Sequence, residues 1–151
     1  MSIRIKNQNT KFRQNSQIST KTQFNNIKKT DHSIQNSEII KAIKFIHINY
    51  KEPITLNDIA NASCINKYSL CRVFKRIIGT TCFNYLNEVR INEAKKLLQD
   101  NRIETITKVT FYVGFNNMTH FDRVFKKLVG ISPVQYKKMH KNGKLQQKIN
   151  L

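Results

Sequence analysis

Ten residues of this chain, Leu70-Cys71-Arg72-Val73-Phe74-Lys75-Arg76-Ile77-Ile78-Gly79, recur 51 positions later as Phe121-Asp122-Arg123-Val124-Phe125-Lys126-Lys127-Leu128-Val129-Gly130. Any fold for the chain must therefore hold one small unit twice. In each copy the apolar residues Leu70, Val73, Phe74 and Ile77, or Phe121, Val124, Phe125 and Leu128, fall at i, i+3, i+4 and i+7, the period of an amphipathic helix. A glycine follows each run, where a helix C-terminus favours a left-handed residue. With 151 residues the chain has room for one ordinary domain, or for two very small ones sharing a connecting helix, and not for a large catalytic fold.

The segments around each repeat also read as helices. Ser37 is placed to cap a first helix carrying Ile39, Ile43, Ile46 and Tyr50, which Pro53 closes. A short helix follows from Thr55, with Asp58 adding negative charge to its first turn and Ile59 and Ala62 facing inward. A turn at 64–66 leads to the first repeat. Thr81 starts a connecting helix that runs to about Leu98, with Phe83, Leu86, Ala94, Leu97 and Leu98 toward packed surfaces. The second unit has a short helix with Ile106, Val109 and Val113, a turn at Gly114, a helix from about Asn117, and a last short helix from Pro133 through Tyr136. No segment alternates as a strand would. The expected fold is all-α, with about seven helices forming two helix-turn-helix subdomains of homeodomain-like three-helix type, joined by a long linker helix.

Charge narrows the partner. Lys and Arg number 27 against 9 acids, giving +18 and a pI near 10.1, so a polyanion is expected. Residues 38–139 alone carry 17 basic side chains and 8 acidic ones, which makes the expected folded part basic in its own right. In a helix-turn-helix the second helix enters the major groove of a duplex. With the apolar stripe of the first copy buried, Tyr68, Cys71, Arg72 and Lys75 lie on the opposite side; the second copy places Thr119, Asp122, Arg123 and Lys126 there. Ser69 and His120 flank these faces. An arginine fork can bond both acceptors of a guanine, whereas a lysine acts as a phosphate point charge. Arg72 and Arg123 are accordingly the base-reading candidates, and Lys67, Lys75, Arg76, Lys126 and Lys127 the phosphate contacts. Asp122, repelled by phosphates, would accept from a cytosine amino group or orient Arg123, the latter being favoured.

Other chemistries find little support. Phe111, Tyr112, Phe115 and Phe125 would suit base stacking in single strands, but their helical spacing beside Val and Leu reads as core. The four histidines, His32, His47, His120 and His140, are too scattered for a metal site, and no carboxylate pair, glycine-rich phosphate loop or activated nucleophile is recognisable. No enzyme and no cofactor are expected, and no small-molecule pocket is evident. Cys64, Cys71 and Cys82 lack metal or redox spacing and read as reduced thiols in a cytosol, with Cys71 alternatively an oxidant sensor. Neither a secretory signal nor a membrane span is recognisable, and a cytoplasmic, nucleoid-associated protein is expected. Residues 1–36 read as a disordered basic arm, either tracking phosphates or a solvated leader, and residues 140–151 as a basic tail.

One family matches these residues. Ile54-Thr55-Leu56-Asn57-Asp58-Ile59-Ala60, Leu70-x-Arg72-Val73-Phe74-Lys75, Gly79, Tyr85-Leu86, Arg90-Ile91, Ala94 and Leu97-Leu98 resemble the first half of an AraC/XylS-type DNA-binding domain. Ile106, Val109, Gly114-Phe115, Phe121-x-Arg123-Val124-Phe125-Lys126-Lys127, Gly130-x-Ser132-Pro133 and Tyr136 are similar to the second. The resemblance covers about residues 38–138. It implies two recognition helices in successive major grooves, about one helical turn or ~34 Å apart, on an asymmetric site of about 20 base pairs. It places base contacts at Tyr68, Cys71, Arg72, Thr119, His120 and Arg123, within a domain spanning 37–139 whose units are 37–79 and 103–139 with the linker at 81–98. Three positions depart from the family pattern. Thr110 stands where a small Ala is usual, implying looser packing there, Cys64 replaces a frequent turn glycine, and Asn66 replaces a Ser cap.

Because about 37 residues precede the domain, the expectation is the stand-alone, MarA/SoxS-like branch: a bacterial monomeric transcription regulator, more an activator than a repressor, touching promoter DNA and RNA polymerase. The alternatives are a truncated remnant of a longer regulator, a low-specificity DNA-coating protein, and a repair transferase using Cys71 or Cys82. Both DNA-binding readings predict steep salt dependence: ~6–10 phosphate contacts imply an affinity loss of about 10³–10⁵-fold between about 50 and 200 mM salt.

Overall fold

A computed structural model of the chain describes residues 33–100 and 105–140. The helices are α1 (Ser33–Asn49), α2 (Leu56–Ala62), α3 (Lys67–Ile78), α4 (Cys82–Gln99), α5 (Ile106–Tyr112) and α6 (Met118–Val129), followed by α7 over 133–140. No strand occurs among the described residues. The expected basic arm before residue 33, the tail from 141 and the 101–104 link fall outside them.

Short polar residues start these helices by satisfying the free amides of the first turn. Thr55 and Asp58 form a capping box: the Thr55 amide donates to Asp58 Oδ2 at 2.7 Å and the Asp58 amide to Thr55 Oγ1 at 3.2 Å. The Thr55 amide and hydroxyl, both donating to Asp58 Oδ2 at 2.7 Å, hold the Asp58 carboxyl below its ordinary range. Asn66 and Asn117 cap α3 and α6 identically, each Oδ1 accepting the amide three residues on at 2.9 Å. Thr81, Thr105 and Ser132 do the same for α4, α5 and α7. Asn66→Ala or Asn117→Ala is expected to cost about 1 kcal/mol, read as a lower urea midpoint with an unchanged slope; a shift under about 0.3 kcal/mol would deny the cap its role.

The core is divided in two along α4. Its N-terminal half sends Tyr85, Leu86 and Val89 against α1, α2 and α3, where Ile43, Ile59 and Phe74 are buried. Its C-terminal half sends Ile91, Ala94 and Leu98 against α5, α6 and α7, where Val109, Phe121 and Phe125 are buried. Each half is thus a three-helix unit resting on one end of a shared helix.

Several sequence expectations shift. The first helix begins at Ser33, so residues 33–36 belong to it rather than to an arm, and Ser37 is not its cap. The cause is Asn36, 7% exposed on the core face, a polar residue that apolar periodicity passes over. Tyr50 lies in the turn beyond α1, half-buried. In α2 the inward pair is Ile59 and Ala60, not Ala62. Phe83 is exposed, and Leu128 is at the edge of the stripe, with Val129 packing inward instead. Phe115 and Phe125 are core as expected, but Phe111 and Tyr112 are each 54% exposed. With α5 ending at Tyr112, only one side of so short a helix reaches the core, and Val109 and Thr110 occupy it. Thr110 is itself fully buried, and its hydroxyl is satisfied by donating to the Ile106 carbonyl at 3.0 Å.

Candidate nucleic-acid interface

Helices α3 and α6 are structural duplicates. Each has 12 residues, an asparagine cap and a left-handed glycine at its end, φ 85° at Gly79 and 89° at Gly130. The glycine amides donate to Lys75 O and Lys126 O, both at 2.9 Å. Upstream of the turns the match changes register. The caps Thr55 and Thr105, and the left-handed turn residues Cys64 (φ 57°) and Gly114 (φ 91°), are 50 positions apart, but Asn66 and Asn117 are 51 apart. The second turn therefore holds one more residue than the first. Cys64 adopts the left-handed backbone angle that Gly114 takes freely at the matching turn, at a steric cost of roughly 1–2 kcal/mol.

Burial of the apolar stripe leaves a cationic face on each duplicate. On α3, Lys67, Tyr68, Cys71, Arg72, Lys75 and Arg76 are exposed, Tyr68 at 78%, with the Lys67 ammonium 5.4 Å from its ring centroid. On α6, Thr119, Arg123, Lys126 and Lys127 are exposed. No acid lies on α3 and one, Asp122, on α6. His120 is less available than the other candidates. It is half-buried, its ring set edge-on to Phe115 with centroids 5.5 Å apart, while its amide takes part in the Asn117 cap. No ion pair joins Asp122 to Arg123, contrary to the orienting role favoured for Asp122, because adjacent residues on a helix diverge by about 100°.

The remaining chemistry is sparse. Cys82 is buried at the start of α4, and that burial pushes its thiol up to about 12, against the reactive thiolate form. Cys64 and Cys71 are exposed. Among the described residues no group of three His, Cys, Asp or Glu side chains is placed to hold a metal, and no helix is long and apolar enough to cross a membrane.

Sequence reasoning overlooked Arg90. Its Nε donates to Tyr50 O at 2.7 Å and its Nη2 to Glu52 O at 2.8 Å, with the guanidinium 5.6 Å from the Phe115 ring centroid. It lies within a stretch that carries the family resemblance, but nothing local to its position reveals that it touches both units.

Two capped, glycine-stopped cationic helices, each backed by two more helices, define a tandem helix-turn-helix nucleic-acid-binding domain. Residues 59–139, more than half of the chain, match the helix-turn-helix domain family. The relatives sharpen the assignment. The chain is 36% identical over 110 residues to YdeC of Bacillus subtilis (strain 168), an HTH-type transcriptional regulator, matching 69% of this chain and 38% of YdeC. It is 34% identical over 116 residues to AdaA of the same organism, a bifunctional transcriptional activator and DNA repair enzyme, matching 76% of this chain and 54% of AdaA. Among solved structures, the DNA-binding domain of the global transcriptional factor AdpA, crystallised with a target DNA, superposes with a TM-score of 0.67 at 17% identity, covering 73% of this chain and 98% of that one. The chain belongs to the AraC family of helix-turn-helix proteins: a transcriptional regulator of Chromobacterium violaceum with an AraC-type DNA-binding domain is 27% identical and superposes with a TM-score of 0.63, covering 68% of this chain and 91% of that one. It spans little more than a third of YdeC and about half of AdaA.

Proposed function

We propose that the chain is a sequence-specific, double-stranded DNA-binding transcription regulator that reads a bipartite, asymmetric promoter site of about 20 base pairs with α3 in one major groove and α6 in the next. The observation that carries this reading is the duplication of an exposed arginine, Arg72 and Arg123, at the same position of two identically capped helices. A lone surface arginine usually solvates a helix. Two at matched positions, on helices with no carboxylate bonded to either, suit bidentate recognition of guanine. Tyr68 and Cys71 on α3, and Thr119 and His120 on α6, would complete the base-facing sets, His120 with the least freedom. Lys67, Lys75, Arg76, Lys126 and Lys127 would hold phosphates on either side. The asymmetry follows from the residues, because Tyr68 and Cys71 correspond in the repeat to Thr119 and Asp122, which offer different groups to base edges. The protein would act as a cytoplasmic monomer, an activator that meets RNA polymerase from the side turned away from DNA. Its relatives YdeC and AdaA are regulators by name, and AdpA was crystallised on its target.

Selection of bound sequences from a random duplex pool at about 150 mM salt, with wild type, Arg72→Ala and Arg123→Ala in parallel, tests this directly. Two enriched blocks about one helical turn apart are expected, each variant losing about 1–3 kcal/mol and blurring a base position in its own block only. Equal weakening on all sequences with no enriched block would identify a DNA-coating protein held by charge.

A further inference from the structure

Among the described residues the two units meet at a junction whose parts come from three elements. Tyr50, Lys51 and Glu52 form the turn after α1 in the first unit. Tyr112, Gly114 and Phe115 bracket the turn that launches α6 in the second. Arg90 lies between them at the middle of α4. Its fork bonds the Tyr50 and Glu52 carbonyls at 2.7 and 2.8 Å while its guanidinium lies over the Phe115 ring. Tyr50 O is a carbonyl just past the end of α1, where the helix leaves acceptors unsatisfied and a cation is favoured.

The backbones themselves are in contact beside this clasp. A Cβ on Gly114 would sit 2.6 Å from Tyr50 O and 2.7 Å from Lys51 O, too close for any side chain. The Lys51 ammonium closes the outer edge, 4.0 Å from the Tyr112 ring centroid. These contacts hold the turn immediately ahead of Asn117, the cap of α6. The start of the second recognition helix is thereby tied to the first unit directly, and not only through the length of α4.

We propose that the Arg90 junction sets the distance and rotational phase between α3 and α6, and so determines which spacing between half-sites the protein accepts. Arg90 is a positioning residue in this scheme. The inference rests on the bipartite reading proposed above, but its physical part, a fixed relation between the units, can be measured without DNA.

Spin labels at two exposed positions, Asn57→Cys on α2 and Lys108→Cys on α5, in a background lacking the three native cysteines, report the distance between units. A narrow distribution is expected for Arg90, a broad one for Arg90→Ala, and an intermediate one for Arg90→Lys, whose point charge can take a carbonyl but cannot span two and stack. Tyr112→Ala, which removes a half-exposed ring outside both cores, gives a milder break should Arg90→Ala not fold. On duplexes carrying the two selected blocks with the spacer changed by one or two base pairs, the unaltered junction is expected to prefer one spacing by about tenfold or more. Arg90→Ala should bring the spacings within about threefold while leaving base preference inside each block unchanged.

A distribution that stays narrow in folded Arg90→Ala and Tyr112→Ala overturns the inference. So does a broadened distribution with spacing preference intact. If no sequence blocks are selected at all, the bipartite reading fails, and with it the spacing role, while the label distances still decide whether Arg90 fixes the units.

Discussion

Phe125→Ala is expected to unfold the second helix-turn-helix unit and leave the first folded. Phe125 is fully buried and packs against the rings of Phe121 and Tyr136, at centroid distances of 5.6 and 5.5 Å. Truncating such a ring costs about 3–5 kcal/mol. A unit this small buries little surface, and whole domains are stable by only about 5–15 kcal/mol, so the loss takes most of what the second core supplies. The first core shares none of those residues, because α4 turns Leu86 and Val89 one way and Ala94 and Leu98 the other. Amide hydrogen exchange should lose protection at Val109 and Phe121 while Ile43 and Leu70 keep theirs, and Phe74→Ala should give the converse. Simultaneous loss in both units would mean that they fold as one cooperative body.

Binding to any duplex should collapse with salt. Each phosphate neutralised by Lys or Arg releases counterions, giving a slope of about −0.9 per contact in a plot of log affinity against log salt. The five side chains placed for phosphates, Lys67, Lys75, Arg76, Lys126 and Lys127, imply a slope of about −4.5, or an affinity loss of about 500-fold from 50 to 200 mM. If Arg72 and Arg123 lay on phosphates too, seven contacts would steepen the slope to about −6. Replacing Lys75 or Lys126 by Ala should reduce its magnitude by about one and leave sequence preference alone. A slope near −1 would mean that these faces do not meet DNA.

The helices and their limits were legible in the residues wherever the signal was local. Thr55, Asn66, Thr81 and Asn117 cap where short polar side chains precede an apolar stripe, and Gly79 and Gly130 stop α3 and α6. Errors arose where burial depends on what lies across from a residue. Phe111 and Tyr112 have the period of core residues, yet α5 is too short and too peripheral to bury them. Asn36 has no apolar signal and is buried. Thr110, where a small Ala is usual, is buried as well, its hydroxyl satisfied within its own helix.

The duplication, the cationic faces and the residues that line them are legible along the chain, because helix period, capping and charge are properties of neighbours in sequence. Which distant side chains meet depends on how the chain folds: Phe115 holds His120 half out of reach, and Arg90 ties the two units together. Each of those facts joins residues through space: Arg90 meets carbonyls 38 and 40 positions earlier and a ring 25 positions later. A pattern read along one strand of chain carries no information about which distant carbonyls a guanidinium will meet.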